Sequence, residues 1–132
     1  MPRLDGLLES ALYVVDSDRS ALFYRELFGF EPIVVGDRLT AVRVGERQIL
    51  LLFKKGVSAH LATTAHDGEG RLHVAFAIPA DELDAWERKL AALGVPIEEK
   101  KKWELGGTSL YFRDPDGHLL ELATPGIWPG VY

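Results

Sequence analysis

His73 is the side chain in this sequence best placed to do chemistry. It lies in Arg71-Leu-His-Val-Ala-Phe-Ala-Ile78. In an extended strand, successive side chains point to opposite faces. Leu72, Val74, Phe76 and Ile78 then form one apolar face, and His73 shares the other with Ala75 and Ala77. Two methyl groups leave room beside an imidazole, as a metal or substrate site needs. A core histidine bonded to backbone is the plainer alternative. Two acids stand in similarly unusual company. Glu9 sits in the largely apolar Leu8–Val15, and Glu121 is flanked by Leu119, Leu120, Leu122 and Ala123. An unpaired ionised carboxylate in apolar surroundings is costly. One cation shared by both acids would relieve the difficulty. Otherwise Glu9 reaches solvent at a strand end, and Glu121 pairs with Arg113 or another base.

The elements that must position these residues recur. Leu8–Val15 alternates as a strand. Asp16-Ser17 is a helix start with Asp18 in the first turn, and the helix runs to about Phe28, where Gly29 ends it. Strands are expected at Phe30–Val35, Leu39–Val44 and Gln48–Phe53, separated by the turn residues Gly36-Asp37 and Gly45-Glu46. The polar, glycine-rich stretch 55–70 reads as a linker loop. The pattern then restarts with the strand at 71–78. Pro79-Ala80-Asp81-Glu82 opens a second helix, whose apolar face is Leu83, Trp86, Leu90 and Leu93, and Gly94 stops it. Further strands are expected at Ile97–Lys101, Thr108–Arg113 and Leu119–Thr124. Asp114-Pro115-Asp116-Gly117 suits a type I turn between the last two. The tail, with apolar and aromatic side chains between prolines and glycines, reads as a cap or a dimer contact.

An offset of 64 residues matches Glu9 with His73, Ala11 with Ala75, Leu12 with Phe76 and Val14 with Ile78. A period this long excludes a solenoid and points to a duplicated half-domain. The expected architecture is α+β: tandem βαβββ modules forming a curved, mixed β-sheet cleft with flanking helices. Within one domain spanning 1–132, module one covers about 7–54 and module two about 71–125, with a tail at 126–132.

Composition narrows the function classes. The 132 residues are 47% hydrophobic and 27% charged, which fits one soluble globular domain. No apolar run approaches the roughly 20 residues of a membrane span. The N-terminus shows no secretory signal, so a cytoplasmic protein is expected. The chain has no cysteine, so a metal would sit on His, Asp or Glu. Its formal charge is −5, and no basic stripe extends beyond Lys100-Lys101-Lys102, so nucleic acid is not an expected partner.

Three segments carry a family resemblance. They are Asp16-Ser-Asp-Arg-Ser-Ala-Leu-Phe-Tyr24 with Leu27-Phe-Gly-Phe30, then His73–Ile78, then Leu110-Tyr-Phe-Arg-Asp-Pro-Asp-Gly-His-Leu-Leu-Glu-Leu122. In this order and spacing the chain resembles the vicinal oxygen chelate superfamily. That superfamily includes glyoxalase I, extradiol dioxygenases, fosfomycin-resistance enzymes and bleomycin-resistance proteins. The resemblance implies paired βαβββ modules, in agreement with the repeat. It also implies metal ligands at Glu9, His73 and Glu121. A fourth ligand position aligns best with Leu50, which cannot serve. Two carboxylates and one imidazole make an open facial set for a divalent cation. Carboxylate-rich sites suit Mn²⁺ and Mg²⁺, and Zn²⁺, Ni²⁺ and Fe²⁺ stay open.

Tyr13, Trp103 and Tyr111 are expected to line the pocket, with Arg113 as an anchor for an anionic group. For each aromatic, ordinary core packing is the alternative. His66 is a lid or second-layer donor, or else an exposed loop histidine. His60 and His118 read as surface residues. The Asp-Pro-Asp-Gly turn sets the register that aims Glu121 inward.

The leading expectation is a glyoxalase-like, metal-dependent enzyme of lyase or isomerase type. It would chelate a small oxygen-rich substrate, and Glu9 or Glu121 would act as base. A drug-sequestering protein of bleomycin-resistance type is the alternative from another class. Extradiol-type oxygen chemistry is less favoured, because Glu9 stands where those enzymes present a histidine. Fosfomycin-type thiol transfer is set aside, because no basic residue follows Glu121. A metal protein whose chemistry has decayed is a lesser reading. The resemblance further implies a homodimer and a small-molecule substrate.

Overall fold

The computed structural model describes residues 1–132. β1 (Glu9–Val14) leads into α1 (Ser17–Phe28), then β2 (Pro32–Val35), β3 (Leu39–Val44) and β4 (Gln48–Lys54). β5 (His73–Ala77) leads into α2 (Leu83–Ala92), then β6 (Glu99–Lys102), β7 (Thr108–Arg113) and β8 (Leu119–Ala123). The chain divides into two compact units, Met1–Gly70 and Arg71–Tyr132. Each is built on an open four-stranded sheet, ordered β1-β4-β3-β2 in the first and β5-β8-β7-β6 in the second. Both sheets are mixed. β1 is parallel to β4 and β5 to β8, and the remaining pairs are antiparallel. The α+β class and the repeated βαβββ order read from the sequence are both present.

In the first unit, Asp16 caps α1, its Oδ1 accepting from the backbone N–H groups of Asp18 (3.0 Å) and Arg19 (3.1 Å). Gly29 closes it at φ 73°, a left-handed conformation that glycine adopts without a Cβ clash. The face carrying Ala21, Tyr24 and Leu27 is buried and lies against β3 and β4. Burying side chains the size of Leu27 contributes about 1.5–3 kcal/mol each. Phe30 was expected to open a strand. Instead its ring stacks on Phe28 at 4.9 Å and on Tyr24 at 6.4 Å, and β2 starts at Pro32.

The stretch read as a linker folds within the first unit. It makes a helical turn at Ser58–His60. Arg38 donates to Ser58 Oγ (2.9 Å), and the His66 backbone N–H donates to the Ser58 carbonyl (3.3 Å).

In the second unit, a tight turn at Ala80–Glu82 precedes α2, which buries Leu90. Leu110, Phe112, Leu120 and Leu122 form the buried face of the sheet. Ser109, Tyr111, Arg113, Leu119 and Glu121 alternate onto the other face, with His73, Ala75 and Ala77. The β5 side chains on that face are all exposed, so the room beside His73 is real. The tail is tied down at its end, where the Tyr132 hydroxyl donates to the Ile78 carbonyl (2.8 Å). No helix is long and apolar enough to cross a membrane.

Candidate metal and substrate site

The parallel register of β5 and β8 sets His73 beside Leu119 and Ala75 beside Glu121. This puts His73 one step diagonally from the acid. His73 Nδ1 lies 2.9 Å from the Leu119 carbonyl oxygen. A carbonyl only accepts, so Nδ1 carries the hydrogen and Nε2 faces Glu121 Oε1 at 3.2 Å. Glu121 is 6% exposed, whereas the His73 side chain is about half exposed. The carboxylate is therefore held in the wall, with the imidazole open to an incoming group.

Two further residues orient Glu121. Trp103 Nε1–H donates to Ser109 Oγ at 2.8 Å. An indole N–H can only donate, so the Ser109 hydroxyl is left to donate in turn. It does so to Glu121 Oε2 at 2.5 Å. Tyr111 faces Glu121 across the β7–β8 ladder, and its ring lies 6.3 Å from that of His73. Burial, and then the Glu121 charge, push the Tyr111 phenol above its ordinary pKa. It stays protonated as a donor at neutral pH. Lys101 lies over the Trp103 ring at 4.1 Å.

In the first unit, Glu9 is the first residue of β1 and is exposed, so its carboxylate bears no burial penalty there. The electrostatic demand seen in the sequence therefore applies to Glu121 alone. Tyr13 shares the Glu9 face. Its hydroxyl is 2.7 Å from His66 Nδ1, and the His66 ring meets Phe53 edge-on at 4.5 Å. His66 is thus docked onto β1 and β4 rather than free in a loop. A Cβ at Gly68 would clash with the Tyr13 ring. Gly68→Ala is expected to lift this segment off Tyr13. Limited proteolysis should then cut within 55–70 faster than in the wild type, and an unchanged rate would contradict the docking.

No three His, Cys, Asp or Glu side chains come together as a group able to hold a metal ion. The structure brings His73, Glu121, Tyr111 and Trp103 into one cluster through Ser109. It places Tyr13 and His66 together on the sheet that carries Glu9.

Three further sequence expectations change. Leu50 is not the counterpart of Glu121. It pairs with Ser10 and is buried on the helix side, whereas Leu51 pairs with Ala11 as Glu121 pairs with Ala75. The alignment was off by one, and Leu51 is equally unable to bind a metal. Arg113 neither pairs with Glu121 nor stands free. It binds Glu98 through Nε (2.8 Å) and Nη2 (3.1 Å), and it donates to the Gly117 carbonyl. That hydrogen bonding holds the Glu98 carboxyl below its ordinary pKa.

His118 is not a surface residue. It is 1% exposed, and its Nδ1 accepts the Leu72 backbone N–H at 2.9 Å. The Leu119 N–H holds the Leu72 carbonyl at 2.8 Å. Both backbone groups of the residue before His73 are therefore fixed from the start of β8. His118 shares its phase with Leu120 and Leu122, a signal present in the sequence but outweighed by its place at a turn.

A family model described as the glyoxalase/bleomycin resistance protein/dioxygenase superfamily matches residues 6–122. The chain belongs to this superfamily. Within it, the chain is 44% identical over 124 residues to metallothiol transferase FosB of Bacillus licheniformis, covering 93% of this chain and 77% of that protein. It is 31% identical over 125 residues to fosfomycin resistance protein FosX of Listeria monocytogenes, covering 90% and 89%. Among solved structures, lactoylglutathione lyase from Agrobacterium tumefaciens superposes with a TM-score of 0.90 at 31% identity, covering 97% of this chain and 99% of that one. The superfamily is the one that the three sequence segments indicated.

Proposed function

We propose that this protein is a divalent-metal-dependent enzyme that binds a small substrate through neighbouring oxygens, with His73, Glu121 and Glu9 as the protein ligands. The observation that carries the reading is the His73–Glu121 pair. Two donors sharing one ion at about 2.1 Å, at right angles, stand about 3 Å apart. Nε2 and Oε1 are 3.2 Å apart. The Nδ1–H bond to a backbone carbonyl is the usual second-layer support of a metal-binding histidine. Ser109, oriented by Trp103, plays that part for Glu121. The names of the curated relatives add to this support. The ion, when bound, would act as a Lewis acid on the substrate oxygens.

In the favoured lyase or isomerase chemistry, a carboxylate of the set takes a proton from the carbon beside a carbonyl. It then returns the proton to the neighbouring carbon. Tyr111, protonated, donates toward oxygen charge that develops. Tyr13 and His66 bound the substrate on the Glu9 side, and the working form is a homodimer. A second reading, addition of a thiol or water to an epoxide phosphonate, is favoured by the FosB and FosX names. The missing basic residue after Glu121 counts against it.

The test is the metal content of untagged protein, followed by turnover of glutathione hemithioacetals, epoxide phosphonates and catechols. A stoichiometric ion with turnover of the first class supports the leading reading. Turnover of the second class transfers support to the other. Absence of any ion, together with tight drug binding, would leave a sequestering protein. Ser109→Ala is expected to weaken Mn²⁺ binding by about tenfold or more, in the range that loss of a second-layer partner brings. A Mn²⁺ titration followed by electron paramagnetic resonance checks it.

A further inference from the structure

His73 is the first residue of the β5–β8 ladder, and Leu72 stands just before it. Ladder ends fray unless the next groups along the chain are held. The parallel pairing repeats with a fixed offset. At its far end the Ile78 N–H donates to the Ala123 carbonyl (2.9 Å). Carried back along both strands, the same pattern would give the Leu72 N–H to the Gly117 carbonyl. That carbonyl is engaged by Arg113 Nη1 (3.1 Å). The Leu72 N–H goes to His118 Nδ1 instead, at 2.9 Å. A ring nitrogen that accepts an N–H carries no hydrogen of its own. The buried His118 ring therefore stands in for the missing ladder carbonyl.

The ring is mounted on a stiff turn. Asp114 Oδ1 accepts from the backbone N–H groups of Asp116 and His118 (2.9 Å each), and the Asp114 N–H donates to the His118 carbonyl (3.1 Å). Asp114 is itself buried. The turn thus fixes the start of β8, which carries Glu121. Through the His118 ring it also fixes the chain that carries His73. Without an acceptor at position 118 the Leu72 N–H is orphaned, and a backbone donor left unsatisfied is costly.

We propose that His118 is a positioning residue for His73. Its Nδ1 pins the start of β5 and so sets the 3.2 Å between His73 Nε2 and Glu121 Oε1. This role rests on His73 and Glu121 being metal ligands, as proposed. It deepens that reading, because one turn aims both donors: Glu121 along the chain and His73 across the sheet. His118 acts through the Leu72 backbone and does not bind the ion.

Two variants of the full chain separate hydrogen bonding from packing. Asparagine places an oxygen acceptor where Nδ1 stands but loses the ring. Leucine keeps the bulk but has no acceptor. Mn²⁺ affinity is read by electron paramagnetic resonance, and exchange of the Leu72 amide hydrogen is read in metal-free protein. His118→Leu is expected to weaken Mn²⁺ binding by about tenfold or more. It should speed Leu72 amide exchange by about tenfold or more as well. His118→Asn should hold both within about threefold of wild type. A packing role predicts the reverse order. An asparagine variant no better than the leucine one therefore overturns the proposal while the metal reading stands. Should His118→Leu fail to fold, wild-type protein and His118→Asn decide. A nitrogen–nitrogen scalar coupling between the wild-type Leu72 amide and His118 Nδ1, with near wild-type Mn²⁺ affinity in His118→Asn, supports the role; absence of either overturns it. Wild-type protein that binds no Mn²⁺ overturns the metal reading, and the role of His118 with it.

Discussion

His73→Ala should lower Mn²⁺ affinity by about 100-fold or more, beyond the 10–100-fold expected for loss of a second-layer partner. The substitution removes one of the two donors that already stand 3.2 Å apart. It leaves Glu121 oriented by Ser109 but without the imidazole. Because the His73 side chain is about half exposed, little packing is lost. The melting temperature of the metal-free protein should therefore stay close to that of the wild type. Glu121→Gln makes the complementary case. Its amide oxygen can still accept from Ser109, so any loss of metal binding reports the missing charge and not a collapsed wall. Retention of a stoichiometric ion by both variants would remove the basis of the proposed function.

The second large effect falls on stability. Phe112 is fully buried, at 0% exposure, on the inner face of β7. Phe112→Ala deletes most of a ring from a close-packed core. Such changes cost about 3–5 kcal/mol, as lost transfer energy plus the cavity left behind. For a chain of this length, that is a fall in melting temperature on the order of 10–20 °C. Calorimetry would read it directly, and a fall of only a degree or two would mean that the core closes over the gap. The same strand turns Ser109 and Tyr111 to the opposite face, against Glu121. A loosened β7 should therefore also weaken metal binding, which ties the core to the site.

Much of the site was legible in the sequence because it obeys strand alternation. His73 with Ala75 and Ala77, and Glu121 with Leu119, lie on one face as their spacing requires. Tyr111 follows in phase with Ser109. What escaped was decided by partners distant in the chain. Arg113 looked free for a substrate, but Glu98 on the neighbouring segment takes its charge. His118 looked like a turn residue, but its ring supports the backbone before His73. Ser109 carried no signal of its own. Its importance comes from an indole donor six residues earlier meeting a carboxylate twelve residues later.

By itself the sequence determined the α+β class, the duplicated βαβββ order and the superfamily, because periodicity, caps and turn residues act over a few neighbouring positions. Tertiary structure alone decided which carboxylate is buried and that Arg113 is taken by Glu98. It also decided which residue of β4 shares the face of Glu9. Those outcomes depend on inter-strand register, where a slip of one residue sends every side chain to the other face.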